Sequence, residues 1–166
     1  LNTIYSNIQS GSEKAPALIL HLSDLLSYSI YESGSKLISL EMELSGLHNL
    51  VALEKQHKKY SIEMRLPPEN EIQDKLIAPL TIVKLFEESI TLLDASDVVH
   101  SEITLDIAMV SNNFTLDLTF NSLPEKALIT SKWLTLIENT QNKLNEFYNK
   151  ADYQIKLITD KNKVSV

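Results

Sequence analysis

Cysteine is absent from the sequence, and glycine occurs only three times, at positions 11, 34 and 46. Without cysteine the chain has no disulfide framework, no thiolate metal site and no cysteine nucleophile, which fits a reducing cytoplasm. No apolar run reaches the roughly 18 uncharged residues that a membrane-spanning helix needs, and no signal peptide is visible. Because the chain begins with Leu1 rather than Met, we expect a cytoplasmic piece of a longer protein that has room for a membrane anchor upstream.

Charge and common motifs exclude several functions. The net charge of −7 argues against nucleic acid as a partner, because phosphates require clustered lysine and arginine. No GxSxG, Walker, GxGxxG or HExxH motif occurs, which removes several enzyme classes. The four histidines lack the spacing of metal ligands, and His21 beside an apolar stripe is interpreted as a helix-surface or interface residue.

Apolar residues in the first 59 positions recur at intervals of three and four, which predicts helices. The expected helices cover about residues 1–8, 15–30 and 40–59. Ser12 suits the N-cap of the second helix, whereas the start of the third, near Ser39, stays open.

The second predicted helix has an apolar stripe that a two-helix appendage can hardly bury alone. Its members are Leu18, Leu22, Leu25, Leu26 and Ile30. The stripe predicts a homodimer.

After residue 59 the apolar period changes from helical to alternating. Strands are predicted near residues 60–66, 103–109, 114–120, 153–157 and 164–166, with helices over 79–93 and 131–149. The short segment 111–113, SNN, suits a hairpin loop. The fold class is therefore α+β: a helical dimerisation segment precedes a two-layer α/β sandwich, whose mixed, mostly antiparallel sheet carries helices on one face.

Two adjacent carboxylates, Glu87 and Glu88, interrupt the apolar run LIAPLTIVKLFEESITLL. Successive helical residues point about 100° apart, so both cannot face one site equally. From the residues alone, the pair is either part of a magnesium or general-base site or the solvated face of a core helix.

Three stretches, LNTIYSNI, LSDLLSYSIYES and LISLEMELSGLHNLVALEK, resemble the LytS-type sensor histidine kinases. That family typically reads LN-x-I-x-x-L, LSDLLRYSLYES and V-x-L-x-x-E-L at these places. The stretch IAPLTIVKLFEESITLL resembles IPPLLLQPLVENAIKHG, which opens the family's GHKL-type ATP-binding domain. The resemblance implies a helical dimerisation region at 1–59 and a GHKL ATPase-like domain at 60–166.

The family's ATP-binding domain uses an E-N pair, in which the glutamate is a candidate general base and the asparagine holds Mg²⁺. By resemblance, Glu87 takes the place of that glutamate and Glu88 the place of the metal-binding asparagine. A carboxylate can also hold Mg²⁺, so ATP and Mg²⁺ are the expected cofactors if the site is active. The phosphoacceptor histidine of the family would lie before Leu1.

Other nucleotide-binding elements of the family differ in this chain. The family's DNG, whose aspartate binds adenine, corresponds to Asn121, Ser122 and Leu123, and the first two stay candidate nucleotide-binding residues. Leu134 and Leu136 stand where the glycines of the phosphate-binding turn are expected, since glycines and a helix N-terminus hold phosphates there. We therefore expect a degenerate site and no bound cofactor.

The resemblance implies a role in two-component signal transduction. The expected function is the cytoplasmic part of a sensor histidine kinase-like protein that dimerises and relays a signal to a response regulator or partner kinase. The alternatives are an active ATP-dependent histidine kinase with a divergent site and a purely structural helical dimeriser.

Overall fold

The computed structural model describes residues 13–32, 34, 36–56, 59–95, 101–110, 113–121, 131–156, 158–160 and 163–165. Its helices are α1 (Ala15–Glu32), α2 (Leu40–Glu54), α3 (Glu69–Ile72), α4 (Thr81–Asp94) and α5 (Ser131–Asn145). Its strands are β1 (Ile38–Ser39), β2 (Tyr60–Arg65), β3 (Leu76–Ile77), β4 (Ser101–Val110), β5 (Asn113–Asn121), β6 (Ile158–Asp160) and β7 (Lys163–Ser165). The helical first part and the α+β second part agree with the predicted fold class.

Helices α1 and α2 pack against each other in the first part of the chain. The sequence left the start of α2 open. In the structure Ser39 is the N-cap of α2, and its hydroxyl oxygen accepts a hydrogen bond from Met42 N at 3.2 Å. This cap satisfies one of the free amides of the first turn. Helix α2 ends at Glu54, earlier than the predicted residue 59.

The main sheet has the strand order β2-β4-β5-β7-β6. Strands β2 and β4 are parallel, and the other neighbours are antiparallel, as the mostly antiparallel prediction requires. Alternate residues of β4, among them Ile103, Leu105 and Ile107, are buried. The sheet therefore has one face toward the core, as period-2 patterning predicts.

Helices α4 and α5 pack beside each other and share the core of the sheet. Phe86 of α4 is fully buried, and Trp133 of α5 lies with its ring centroid 5.3 Å from that of Phe120. These large side chains fix the two helices on the sheet, and they place the facing sides of α4 and α5 next to each other.

The prediction of a strand at 153–157 is wrong, because residues 153–156 form no regular element and the next strand, β6, begins at Ile158. The Tyr153 hydroxyl lies 3.1 Å from Gln141 O and 2.8 Å from Asn145 Oδ1. These contacts hold the segment against α5 instead of in the sheet. Helix α5 also ends at Asn145, four residues before the predicted 149. The helix predicted over 1–8, the Ser12 cap and Leu157 lie outside the described residues.

The sequence did not predict the short strands β1 and β3, which pair antiparallel, or the single turn α3. Two-residue strands are too short to show a period. In the described part of the chain, no helix combines the length and the apolar character needed to cross a membrane.

Gly46 of α2 lets the Tyr28 ring of α1 approach closely. A Cβ at position 46 would lie 2.7 Å from Tyr28 Cδ1, so Gly46→Ala forces the ring or the helix to shift. Overpacking costs about 1–3 kcal/mol, against roughly 1 kcal/mol that alanine gains over glycine in a helix. We expect a net loss of about 1 kcal/mol in the free energy of unfolding by urea denaturation.

Gly34→Ala is the matched control, because no heavy atom lies within 4 Å of a Cβ built at that position. Its stability is expected to stay within about 0.5 kcal/mol of the parent chain. If the two variants unfold at the same urea concentration, the close approach of Tyr28 to Gly46 does not constrain residue 46, and the prediction is wrong.

Candidate functional site

Helix α4 carries both candidate carboxylates, and its first turn is held in an unusual way. The N-cap residue Leu80 has φ 57° and ψ 20°, the left-handed region, and its side chain makes no cap. A leucine rarely adopts this conformation without support from its surroundings. The amides of the first turn need acceptors from elsewhere in the chain.

Glu43 of α2 supplies those acceptors. Its Oε1 accepts hydrogen bonds from Ile82 N at 2.7 Å and from Val83 N at 3.0 Å. Its Oε2 accepts one from Leu80 N at 2.8 Å. The side chain is fully buried, and the positive end of the α4 dipole favours a negative charge there. A carboxylate from one helix therefore caps another helix about forty residues away.

Tyr28 of α1 completes this contact, since its hydroxyl donates to Glu43 Oε2. Burial and the neighbouring carboxylate raise the pKa of Tyr28 well above its ordinary value. The hydroxyl therefore keeps its proton and stays a donor through the physiological range. Leu80 N also lies 3.1 Å from the Tyr28 hydroxyl oxygen.

Lys143, near the end of α5, and Tyr148, just after it, support the same junction. The Tyr148 hydroxyl oxygen accepts a hydrogen bond from Ala78 N at 2.7 Å, just before α4. Lys143 lies within electrostatic range of Glu43. Burial lowers the pKa of Lys143, and the attraction of Glu43 opposes that shift.

The two candidate carboxylates have different surroundings. Glu87 is half-exposed, and its Oε2 lies 2.6 Å from Lys84 Nζ in an ion pair along α4. Glu88 is also exposed, but it lines an open cavity of about 300 Å³ between α4 and α5. The expectation that both cannot face one site agrees with this arrangement.

The cavity has a mixed wall. Thr91 and Leu92 of α4 and Ser131, Lys132, Thr135, Leu136 and Asn139 of α5 line it together with Glu88. The charges of Glu88 and Lys132 offset each other, so the described wall offers no net positive charge to a triphosphate. Among the described residues of the wall, Glu88 would be the single carboxylate ligand of a magnesium ion, because their other oxygen donors are neutral. Within the described ranges, no group of three or more histidine, aspartate or glutamate side chains is placed to hold a metal ion.

A family model described as histidine kinase matches residues 1–62. The sensor protein LytS of two Staphylococcus epidermidis strains is 26% identical to this chain over 144 residues, covering 84% of the chain and 24% of each relative. The chain is therefore similar to the LytS-type sensor histidine kinases. This family acts in two-component signalling, and the chain spans about a quarter of the length of the LytS proteins it matches.

A solved structure described as a bacterial phosphotransferase shares the fold of this chain. The alignment covers 99% of the chain and 85% of that protein, with a TM-score of 0.50 and 11% sequence identity. At this identity the likeness concerns the fold alone, and it agrees with the α+β class.

Of the other predicted site residues, Asn121 is the one that the structure describes, and it lies away from the cavity. Asn121 ends β5 opposite Glu102 and is not part of the cavity wall. Ser122 and Leu123 lie outside the described residues. Leu134 and Leu136, which by resemblance take the places of the turn glycines, both lie within α5, as the helix predicted over 131–149 requires. Leu134 is exposed, and Leu136 is buried in the wall.

The two histidines that the structure describes, His21 and His48, lie near each other where α1 contacts α2. His21 Nδ1 lies 2.8 Å from Asn49 Oδ1, and its ring centroid is 6.1 Å from that of His48. His21 thus lies at the contact of α1 with α2, as an interface residue would. His57 and His100 fall outside the described residues.

Sequence reasoning missed Glu43 and Tyr28, although both lie in stretches that carry the LytS-type resemblance. A signal was present. Glu43 occupies the same helical face as Leu40, Leu44 and Leu47, at spacings of three and four. A carboxylate on an apolar helix face is buried only when hydrogen-bond donors or a positive charge accompany it. The position of Glu43 therefore indicates a specific contact.

Proposed function

We propose that this chain is the dimerisation and relay part of a sensor histidine kinase-like protein whose nucleotide site is degenerate. Residues 1–59 would form the dimerisation region and residues 60–166 the GHKL ATPase-like domain. A response regulator or a partner kinase would receive the signal. No nucleotide cofactor is part of this proposal.

The absence of glycine from residues 47–166 carries the proposal. Glycines at a phosphate-binding turn let the backbone approach phosphate groups closely. Since α5 begins at Ser131, such a turn would fall before that residue, where the sequence SLPEKALIT contains no glycine. Phosphoryl transfer depends on positioning and charge neutralisation of the phosphates, and the offsetting charges of Glu88 and Lys132 supply little of either.

An active kinase with a divergent site is the second candidate. The position of Glu88 in the cavity wall favours it, because a carboxylate there suits a magnesium ion that bridges nucleotide phosphates. In this case Glu87 would be the general base, after release from its ion pair with Lys84, and Asn121 and Ser122 would contact the nucleotide.

An exposed apolar face of α1 supports the proposed homodimer. Ile19, Leu26 and Ile30 are 48%, 53% and 70% exposed, and their spacing of seven and four places them on one side of the helix. Leu18 of the predicted stripe is buried inside the chain instead, on the side of α1 that also buries Tyr28. A second copy of α1 would cover the remaining apolar face in the manner of a helix bundle.

We expect saturating Mg-ATP to leave the melting temperature of the chain unchanged within about 1 °C, because a ligand stabilises only the state that it binds. Differential scanning fluorimetry with Mg²⁺ alone as the control measures this. A shift of several degrees that Glu88→Gln abolishes would support the active kinase and contradict the degenerate site.

We expect Ile30→Lys to convert a sedimenting dimer into a monomer, because a charge in an apolar interface loses its hydration without gaining a partner. Sedimentation velocity at high protein concentration measures the change. Leu134→Lys is the matched control, since Leu134 is a similarly exposed leucine, 58%, on α5. A parent chain that sediments as a monomer would contradict the proposed dimer.

A further inference from the structure

Three helices meet at one buried carboxylate. Glu43 belongs to α2, its hydroxyl donor Tyr28 belongs to α1, and its three amide donors lie at Leu80, Ile82 and Val83 at the start of α4. Both carboxylate oxygens are used, and no part of the side chain reaches solvent. Because an unpartnered buried carboxylate is strongly disfavoured, the donors and the acceptor have to move together.

The backbone at this junction is held away from its ordinary conformation. Leu80 is left-handed, with φ 57°, and its amide lies within hydrogen-bond distance of both Glu43 Oε2 and the Tyr28 hydroxyl. Such a conformation persists only when its surroundings impose it. A displacement of Tyr28 therefore acts on the residue that sets the direction in which α4 begins.

Two helices of this junction each carry a candidate functional surface. Tyr28 lies on the same helix as the exposed apolar face of Ile19, Leu26 and Ile30. Helix α4 carries Glu88 into the cavity that it forms with α5. The hydrogen bonds of Glu43 with Tyr28 and with the first turn of α4 thus connect the helix of the proposed dimer face to the helix that lines the candidate nucleotide cavity.

We propose that Tyr28 and Glu43 are positioning residues that make the placement of α4, and with it Glu88, depend on the placement of α1. This inference rests on the proposed relay function of the helical part. The coupling has a physical route, since Tyr28 bonds Glu43, and Glu43 bonds the amides of Ile82 and Val83. Because coupling is reciprocal, a change at the start of α4 also acts on α1.

The test is native-state amide exchange of the full chain, resolved by residue with NMR, in Tyr28→Phe. This substitution keeps the ring against Gly46 and removes the hydroxyl alone. The informative amides are those of Ile82 and Val83, whose acceptor is Glu43 and not Tyr28. We expect their exchange to rise by about tenfold through local opening, while amides of the β4–β5 hairpin stay within about twofold of the parent chain.

Tyr60→Phe is the matched control. The Tyr60 hydroxyl of β2 donates to Asp94 Oδ1 at 2.5 Å, at the opposite end of α4, so a tyrosine hydroxyl that contacts the same helix is removed without touching Glu43. Exchange at Ile82 and Val83 is expected to stay at the parent rate. Glu43→Gln, which keeps the shape but loses the second carboxylate oxygen, should open these amides further; if it does not fold, Tyr28→Phe decides alone.

The inference is overturned if Tyr28→Phe leaves Ile82 and Val83 at the parent rate. It is equally overturned if exchange rises by the same factor in α4 and in the β4–β5 hairpin, because that pattern reports a general loss of stability. These outcomes are separate from failure of the proposed function. Exchange is measured within one chain, whereas a monomer in sedimentation or a melting shift with Mg-ATP bears on dimerisation and nucleotide binding.

Discussion

The carboxylate of Glu43 is completely buried and accepts hydrogen bonds from two other helices, α1 and α4. A carboxylate removed from water is tolerated only when donors replace the lost hydration. Here the donors are the first-turn amides of α4 and the Tyr28 hydroxyl. The helical part and the α+β part of the chain are therefore joined by a directional polar contact in addition to apolar packing, and a directional contact permits one relative placement of the helices.

Several local features follow from this contact. Leu80 adopts a left-handed backbone without a side-chain cap of its own, and its amide donates to Glu43 Oε2. Gly46 lies where the Tyr28 ring must pass close to α2, so that the hydroxyl reaches the carboxylate. Helix α4 then has a fixed start, and the turn that follows places Glu87 at the surface and Glu88 in the cavity wall. The candidate site is positioned from the helical part as well as from the sheet.

Apolar periodicity was sufficient to predict α1, α2, α4, α5, the strand β2 and the β4–β5 hairpin, since each is long enough to show a period of 3.6 or 2. It was not sufficient for β1 and β3, which have two residues each, or for the segment after Asn145, where tyrosine hydroxyl contacts replace strand pairing. The different surroundings of Glu87 and Glu88 followed from helix geometry. The pairing of Glu43 with residues about forty positions away is a tertiary contact, which local periodicity does not encode, although a carboxylate on an apolar face indicated that a partner exists.

The most direct test of the central claim is the free energy of unfolding of Glu43→Gln, followed by the fluorescence of Trp133, the single tryptophan of the chain. Glu41→Gln is the matched control, because Glu41 is an exposed glutamate in the first turn of the same helix. The account predicts that Glu43→Gln loses about 3 kcal/mol, as expected when charge-assisted hydrogen bonds of a buried group are broken, and that Glu41→Gln loses less than about 0.5 kcal/mol. Equal unfolding midpoints in urea for the two variants would contradict the account.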